Sequence, residues 1–266
     1  LPQSKELAFM SEQFDTLEIN SSFYRLILPK TFEKWARSVP PGFEYAVKGW
    51  KNITHRHRLK NTADDVAIFF GSGVMALKDR MGPILWQLPP SLQFDPQVLE
   101  SFLASLPRTY GEAKKLGASA PPPAEKDADK PGAQPALIDL TTPDPPEIED
   151  KPLRYAVEPR TAAFGSSEAL AIFRKYDTAL VMADTGGRYP QFDEVTASLV
   201  YIRLHGSPYS NYSDAALQEW ADKILGWEAA GLATFCYFDN TAAGWAPYNA
   251  RTLEQMCKHP TADAAG

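Results

Sequence analysis

The chain has 266 residues, 44% hydrophobic and 23% charged, with a formal net charge of -6. That length allows a large core, in one α/β barrel or two small domains. The acidic balance excludes a global pull toward nucleic acid or anionic membrane, though not a local basic patch. Two cysteines, Cys236 and Cys257, make neither a disulfide framework nor a zinc-ligand cluster. With no apolar run near the ~20 residues of a membrane helix, a cytoplasmic protein is expected. The chain opens at Leu1 without a methionine, which leaves residues upstream and a targeting segment open.

Leu1 to Phe14 is helix-compatible, and Thr16 to Asn20 alternates as a strand with Glu18 and Asn20 on one side. Thr31 is a candidate cap for a helix with Phe32, Trp35, Ala36 and Val39 inward. A strand over 43–48 ends on Lys48-Gly49, a basic loop runs from Asn52 to Asn61, and a helix is expected from Asp64 to about Lys78. The strand from Pro83 to Leu88 stops at Pro89-Pro90, and Asp95-Pro96 starts a helix buried through Leu99, Phe102, Leu103 and Leu106. Nine of the 23 prolines then fall in residues 108–152. Too few large apolar side chains accompany them to offset ordering entropy, so this reads as a partly disordered insertion with Ala136 to Leu140 as its sticky patch.

The alternation resumes with a strand from Leu153 to Glu158 and a helix capped by Ser166. Strands follow at Ala179–Ala183, Leu199–His205 and Ala233–Phe238, and helices at Asp214–Ala230 and Ala246–Lys258. Seven strands alternating with helices mark a parallel α/β fold. A single TIM-type (β/α) barrel domain over 1–266 that lacks its first strand fits the count. A doubly wound sheet competes, but no G-x-G-x-x-G follows any strand.

Several strings resemble one family. They are Phe14-Asp-Thr-Leu-Glu-Ile-Asn-Ser-Ser-Phe-Tyr-Arg25, Ala46-Val-Lys48 with Ile53-Thr-His55, Gln87-Leu-Pro-Pro90, Tyr155-Ala-Val-Glu-Pro-Arg160, Ala183-Asp184, Tyr201-Ile-Arg-Leu-His-Gly206 and Tyr237-Phe-Asp-Asn240. Together they are similar to the YecE-like family, the domain of unknown function numbered 72. The resemblance implies a TIM-type barrel with an upstream strand not present here, and no settled activity; suggestions of nucleic-acid binding rest on analogy. Two positions depart from the family's pattern. Thr161 stands where a histidine is usual, and Asp239-Asn240 where Asn-Asn is usual.

A barrel assembles its site at the carboxyl ends of its strands. There stand Glu18, Glu158, Asp184 and His205 as candidate catalytic groups. Asn20, Tyr24, Arg25, Lys48, His55, Gln87, Arg160, Arg203, Tyr237 and Asn240 are candidate substrate-binding groups. Arg203 and His205 share one strand parity, so cation and imidazole emerge together, with the Gly206-Ser207 amides beside them for a phosphate. Glu158, Asp184 and His205 could ligate a divalent metal such as zinc or manganese, although no local signature supports one. Carboxylate–arginine pairing is the competing use. His55-Arg-His-Arg-Leu-Lys60 is a dense positive run, read as a phosphate track, a surface metal clip or a solvated loop. Two functions stay open. One is an enzyme, a hydrolase or lyase, acting on a phosphorylated or phosphodiester substrate through His205 and Glu158. The other is a non-catalytic barrel that binds an anionic ligand or nucleic acid.

Overall fold

The structure is a computed structural model that describes residues 3–123, 137–206 and 211–259. The chain divides into two compact units, residues 1–157 and 158–266.

In the first unit, α1 (Gln3–Ser11) leads into β1 (Thr16–Ile19), followed by α2 (Ser21–Tyr24), α3 (Pro29–Arg37) and β2 (Glu44–Lys48). A π-helical turn (Asn52–Arg56), α4 (Ala63–Gly71), a 3-10 segment (Val74–Arg80), β3 (Met81–Gln87) and α5 (Pro96–Ser105) come next. Then come α6 (Tyr110–Ala118), α7 (Pro146–Glu149) and β4 (Tyr155–Glu158), whose last residue already belongs to the second unit. β1, β2 and β3 pair in parallel, and β4 joins through Ile84 N–H donating to the Arg154 carbonyl at 2.8 Å. β3 is buried nearly throughout. Its Trp86 meets Phe69 and Phe102 at ring-centroid distances of 5.5 and 5.4 Å, so the tryptophan is core.

Three local expectations change. The α3 helix starts at Pro29, with Leu28 rather than Thr31 at its cap, because a proline at the first helical position supplies the turn without a side-chain acceptor. The helix expected over 64–78 breaks at Gly73, whose φ is 134°. A Cβ there would lie 2.8 Å from Pro29 Cα, so the backbone approaches where only glycine fits. Within 108–152 the described flanks hold α6 and α7, bridged by Thr109 and Pro152. Lys114, buried, donates to Asp144 Oδ2 at 2.9 Å, Glu149 Oε1 at 2.7 Å and the Thr142 carbonyl at 2.8 Å. Pairing lets a short apolar-poor segment bury a charge. Leu137 and Leu140 lie against Gly71 and Gly117, so the sticky patch does pack. Its first residue, Ala136, lies outside the described residues.

The second unit holds α8 (Ser167–Lys175), β5 (Thr178–Leu180), β6 (Met182–Asp184), β7 (Leu199–Leu204), α9 (Asp214–Ala229), β8 (Ala233–Phe238) and α10 (Ala246–Lys258). The strand expected over 179–183 is thus two short strands interrupted at Val181. β6, β7 and β8 are parallel in that order, with Met182 opposite Ile202 and Arg203 opposite Tyr237. Ile202 and Leu204 pack with Leu217, Trp220, Ala221 and Ile224 of α9 and Leu253 of α10. That burial fixes the parity of β7, because Arg203 and His205 must leave on the opposite face. The fold is therefore α/β with parallel sheets. No closed barrel is present among the described residues, and none of their helices is long and apolar enough to cross a membrane.

Candidate functional site

Three strand ends, those of β4, β7 and β8, converge on one carboxylate. Glu158 closes β4 with no exposure, and Arg203 on β7 is 1% exposed. Arg203 Nη1 donates to Glu158 Oε2 at 2.8 Å, while Arg160 Nη2 lies 2.8 Å from Glu158 Oε1. His205 is clamped between two carboxylates. Its Nε2 is 3.1 Å from Glu158 Oε1 and its Nδ1 is 3.0 Å from Asp239 Oδ2. Arg203 Nη2 also reaches Asp239 Oδ2 at 3.3 Å. Asp239, just past β8, is the most open member of the group, its side chain 39% exposed.

This arrangement decides the protonation states. Burial alone would raise the Glu158 carboxyl, but Arg203, His205 and Arg160 outweigh it and hold the group well below the usual carboxylate range. Burial also disfavours a charged His205 ring. Hydrogen bonds to Asp239 and Glu158, with the charge of Glu158, prevail over that and over Arg203, so the imidazole sits above its ordinary value. A carboxylate faces each ring nitrogen, Glu158 at Nε2 and Asp239 at Nδ1, so a protonated ring has an acceptor for both of its N–H groups.

Asp184, at the end of β6, has a different task. Its Oδ2 accepts from Tyr212 Oη at 2.8 Å and its Oδ1 from the Gly186 amide at 2.9 Å. Its carbonyl accepts from the amides of His205 and Gly206 at 2.8 and 3.1 Å. The Gly206 amide is therefore committed to Asp184 rather than offered to a phosphate, and Ser207 lies outside the described residues. Among the described residues, no group of three His, Cys, Asp or Glu side chains is placed to hold a metal ion. The proposed Glu158–Asp184–His205 ligand set is thus not assembled. Arginine and histidine donors occupy Glu158, and a tyrosine hydroxyl and an amide occupy Asp184.

The Tyr237 ring meets that of Tyr201 at a centroid distance of 5.2 Å, tilted by 43°. Asn240 is buried and donates to Asn249 Oδ1 at 2.9 Å, pinning α10 to the end of β8. These two shape the surroundings of the cluster.

In the first unit, Tyr24, Lys48 and His55 gather around Phe23. Lys48 Nζ lies 4.4 Å over its ring, and Tyr24 and His55 meet its edges at 5.0 and 4.9 Å. Tyr24 is 64% exposed, with Lys51 Nζ 5.7 Å above it. Glu18, Asn20 and Gln87 are half-buried at the ends of β1 and β3, and Arg25 is exposed after α2. The basic run is folded back on itself. Arg56 Nη1 donates to Asn52 Oδ1 at 2.8 Å, His57 lies 3.5 Å from Asp65, and His55 Nδ1 meets Thr54 Oγ1 at 2.9 Å. The two histidines are bonded to separate neighbours and form no metal clip.

Nothing in the sequence gives a site role to Phe23, Tyr189 or Arg188. Asp239 stands among the polar residues at strand ends, and its contacts with His205 and Arg203 come from the folded sheet.

The family description "Protein of unknown function DUF72" matches residues 1–265. The chain belongs to the DUF72 family. Among curated proteins it is similar to the UPF0759 protein YunF of Bacillus subtilis (strain 168), 26% identical over 91 residues. That match takes in 32% of the chain and 32% of the relative, so it spans about a third of YunF. Among solved structures, a DUF72 family protein of Enterococcus faecalis V583 superposes with a TM-score of 0.68 at 14% identity, covering 97% of this chain and 95% of that one. A DUF72 family protein of Thermotoga maritima MSB8 gives a TM-score of 0.63 at 18% identity, covering 97% and 91%. At such identities the likeness carries the DUF72 fold alone.

Proposed function

We propose that the second unit binds an anionic, phosphate-bearing ligand, with Arg160 and His205 as its contacts and the Glu158–Arg203 pair as their buried support. The observation that carries this reading is the three-cation grip on Glu158. It holds two guanidiniums and an imidazolium within a few ångströms of one another at strand ends, beside the part-exposed Asp239. Arg160 spends Nη2 on Glu158, while a guanidinium carries five N–H donors in a fork suited to phosphate. The architecture that goes with this reading is a TIM-type (β/α) barrel, supported by the alternation of helices with parallel strands. Calorimetric titration with inorganic phosphate and a small phosphomonoester tests it. Affinity is expected to weaken as pH rises through the His205 value and to fall about tenfold or more in Arg160→Gln, where a charge-assisted bond is lost. Binding that is absent, or indifferent to Arg160, would overturn it.

A second reading, turnover of a phosphorylated or phosphodiester substrate, is favoured by the His205–Asp239 contact. His205 carries the proton of the cluster that can leave, and a leaving oxygen would take it at Nδ1 by displacing Asp239, the most exposed member of the group. Glu158 drops out as an acid or base, because three cations hold it deprotonated and occupy both its oxygens. A screen of phosphatase and phosphodiesterase substrates, with and without divalent metals, tests this. Unchanged rates in His205→Asn would exclude catalysis by that ring.

A further inference from the structure

We infer that Arg188 is a specificity residue of the same site, holding the second charged group of a ligand with two linked phosphates, such as a diphosphate. The inference rests on the reading that Arg160 and His205 hold a phosphate. Its own observation is a tyrosine ring shared by two guanidiniums. Arg160 Cζ lies 4.3 Å from the Tyr189 centroid and Arg188 Cζ 5.2 Å from it. Like charges brought together on one ring repel, and the repulsion registers on Arg160. Burial loosens its proton, and Arg203 and Arg188 add to that against Glu158 and Tyr189.

The loop that imposes this juxtaposition is built rather than slack. The Gly186 amide donates to Asp184 Oδ1 at 2.9 Å, the Tyr189 amide to Thr185 Oγ1 at 2.9 Å, and the Arg188 amide to the Thr185 carbonyl at 3.3 Å. Gly186 and Gly187, at φ 61° and 80°, supply a turn that other residues adopt only with strain. The loop is also rooted at His205, whose amide donates to the Asp184 carbonyl at 2.8 Å. Arg188 is therefore an exposed cation held beside the anchored Arg160 by a turn bonded to the backbone of His205. Among the described residues it meets no carboxylate, in contrast to Arg160 and Arg203. A second phosphate reaching outward from the first would relieve the repulsion and draw on donors that a monophosphate leaves unused.

The test is calorimetric titration with inorganic phosphate and with pyrophosphate, at matched pH and ionic strength. Wild type is expected to prefer pyrophosphate by about tenfold, the effect of one added charge-assisted contact. Arg188→Gln, folded by circular dichroism, is expected to lose the preference for pyrophosphate while still binding phosphate. A preference that survives in Arg188→Gln, or phosphate binding lost along with it, would refute the assignment. Wild type binding both ions equally would also refute it, yet leave the phosphate site standing. Wild type binding neither ion would instead remove the site itself.

Discussion

Glu158→Gln is the substitution whose outcome follows most directly from the geometry. It removes one negative charge, keeps the side chain's volume, and leaves Arg203, 1% exposed, with Asp239 Oδ2 at 3.3 Å as its remaining carboxylate. Breaking a buried pair from one side costs about 3–5 kcal/mol, since the surviving charge stays desolvated. At roughly 2–4 °C per kcal/mol for a domain of this size, that lowers Tm by about 6–20 °C. Urea denaturation gives the free energy and circular dichroism the midpoint. Replacing both partners, as Glu158→Leu with Arg203→Met, is expected to cost less than the sum of the single changes, because neither charge is then stranded. The pH dependence has a sign. Because Glu158's folded-state value is depressed, its contribution is complete above about pH 4.5 and lost as pH falls further, so the gap between wild type and Glu158→Gln should narrow in acid. A Glu158→Gln protein within about 0.5 kcal/mol of wild type at neutral pH would refute the reasoning.

His205 has the opposite sign. Its folded-state value is raised by Asp239 and Glu158, against burial and Arg203, so its contribution is complete below about pH 6.5 and fades as pH rises through the folded value. The Tm deficit of His205→Asn should be larger at pH 6 than at pH 9, and an equal deficit at both would count against the imidazolium. Lys114→Met leaves Asp144 with Lys78 alone, at 2.6 Å, and takes the lysine from Glu149; it is expected to lower stability by about 1–3 kcal/mol in urea, whereas a solvated lysine would give almost nothing. In Gly49→Ala the new methyl would meet Trp86 Cε3 at 2.2 Å. A loss of about 1–3 kcal/mol is expected from such overpacking, with part regained in Gly49→Ala/Trp86→Phe.

Most of the secondary structure was legible because it is written in local chemistry. Asp95 with Pro96 starts α5, its carboxylate accepting from the amides of Gln97 and Val98 at 3.0 and 3.2 Å. Ser166 caps α8, accepting from the Ala169 amide at 3.3 Å. The β7 alternation already separated Ile202 and Leu204 from Arg203 and His205, since strand parity depends on nothing beyond the strand. Polar residues at successive strand ends likewise named Glu158, Arg160, Arg203 and His205 as companions. What local chemistry cannot carry is distance between remote segments. Lys114 finding Asp144 and Glu149, or Trp86 claiming the space beside Gly49, depends on packing that no window of sequence contains. The same holds for roles. Asp184 and Glu158 are both carboxylates at strand ends, indistinguishable as letters. Asp184 receives a tyrosine hydroxyl and loop amides, while Glu158 receives two guanidiniums and an imidazole, and only the assembled neighbourhood makes one a brace for a turn and the other the anchor of a cationic cluster.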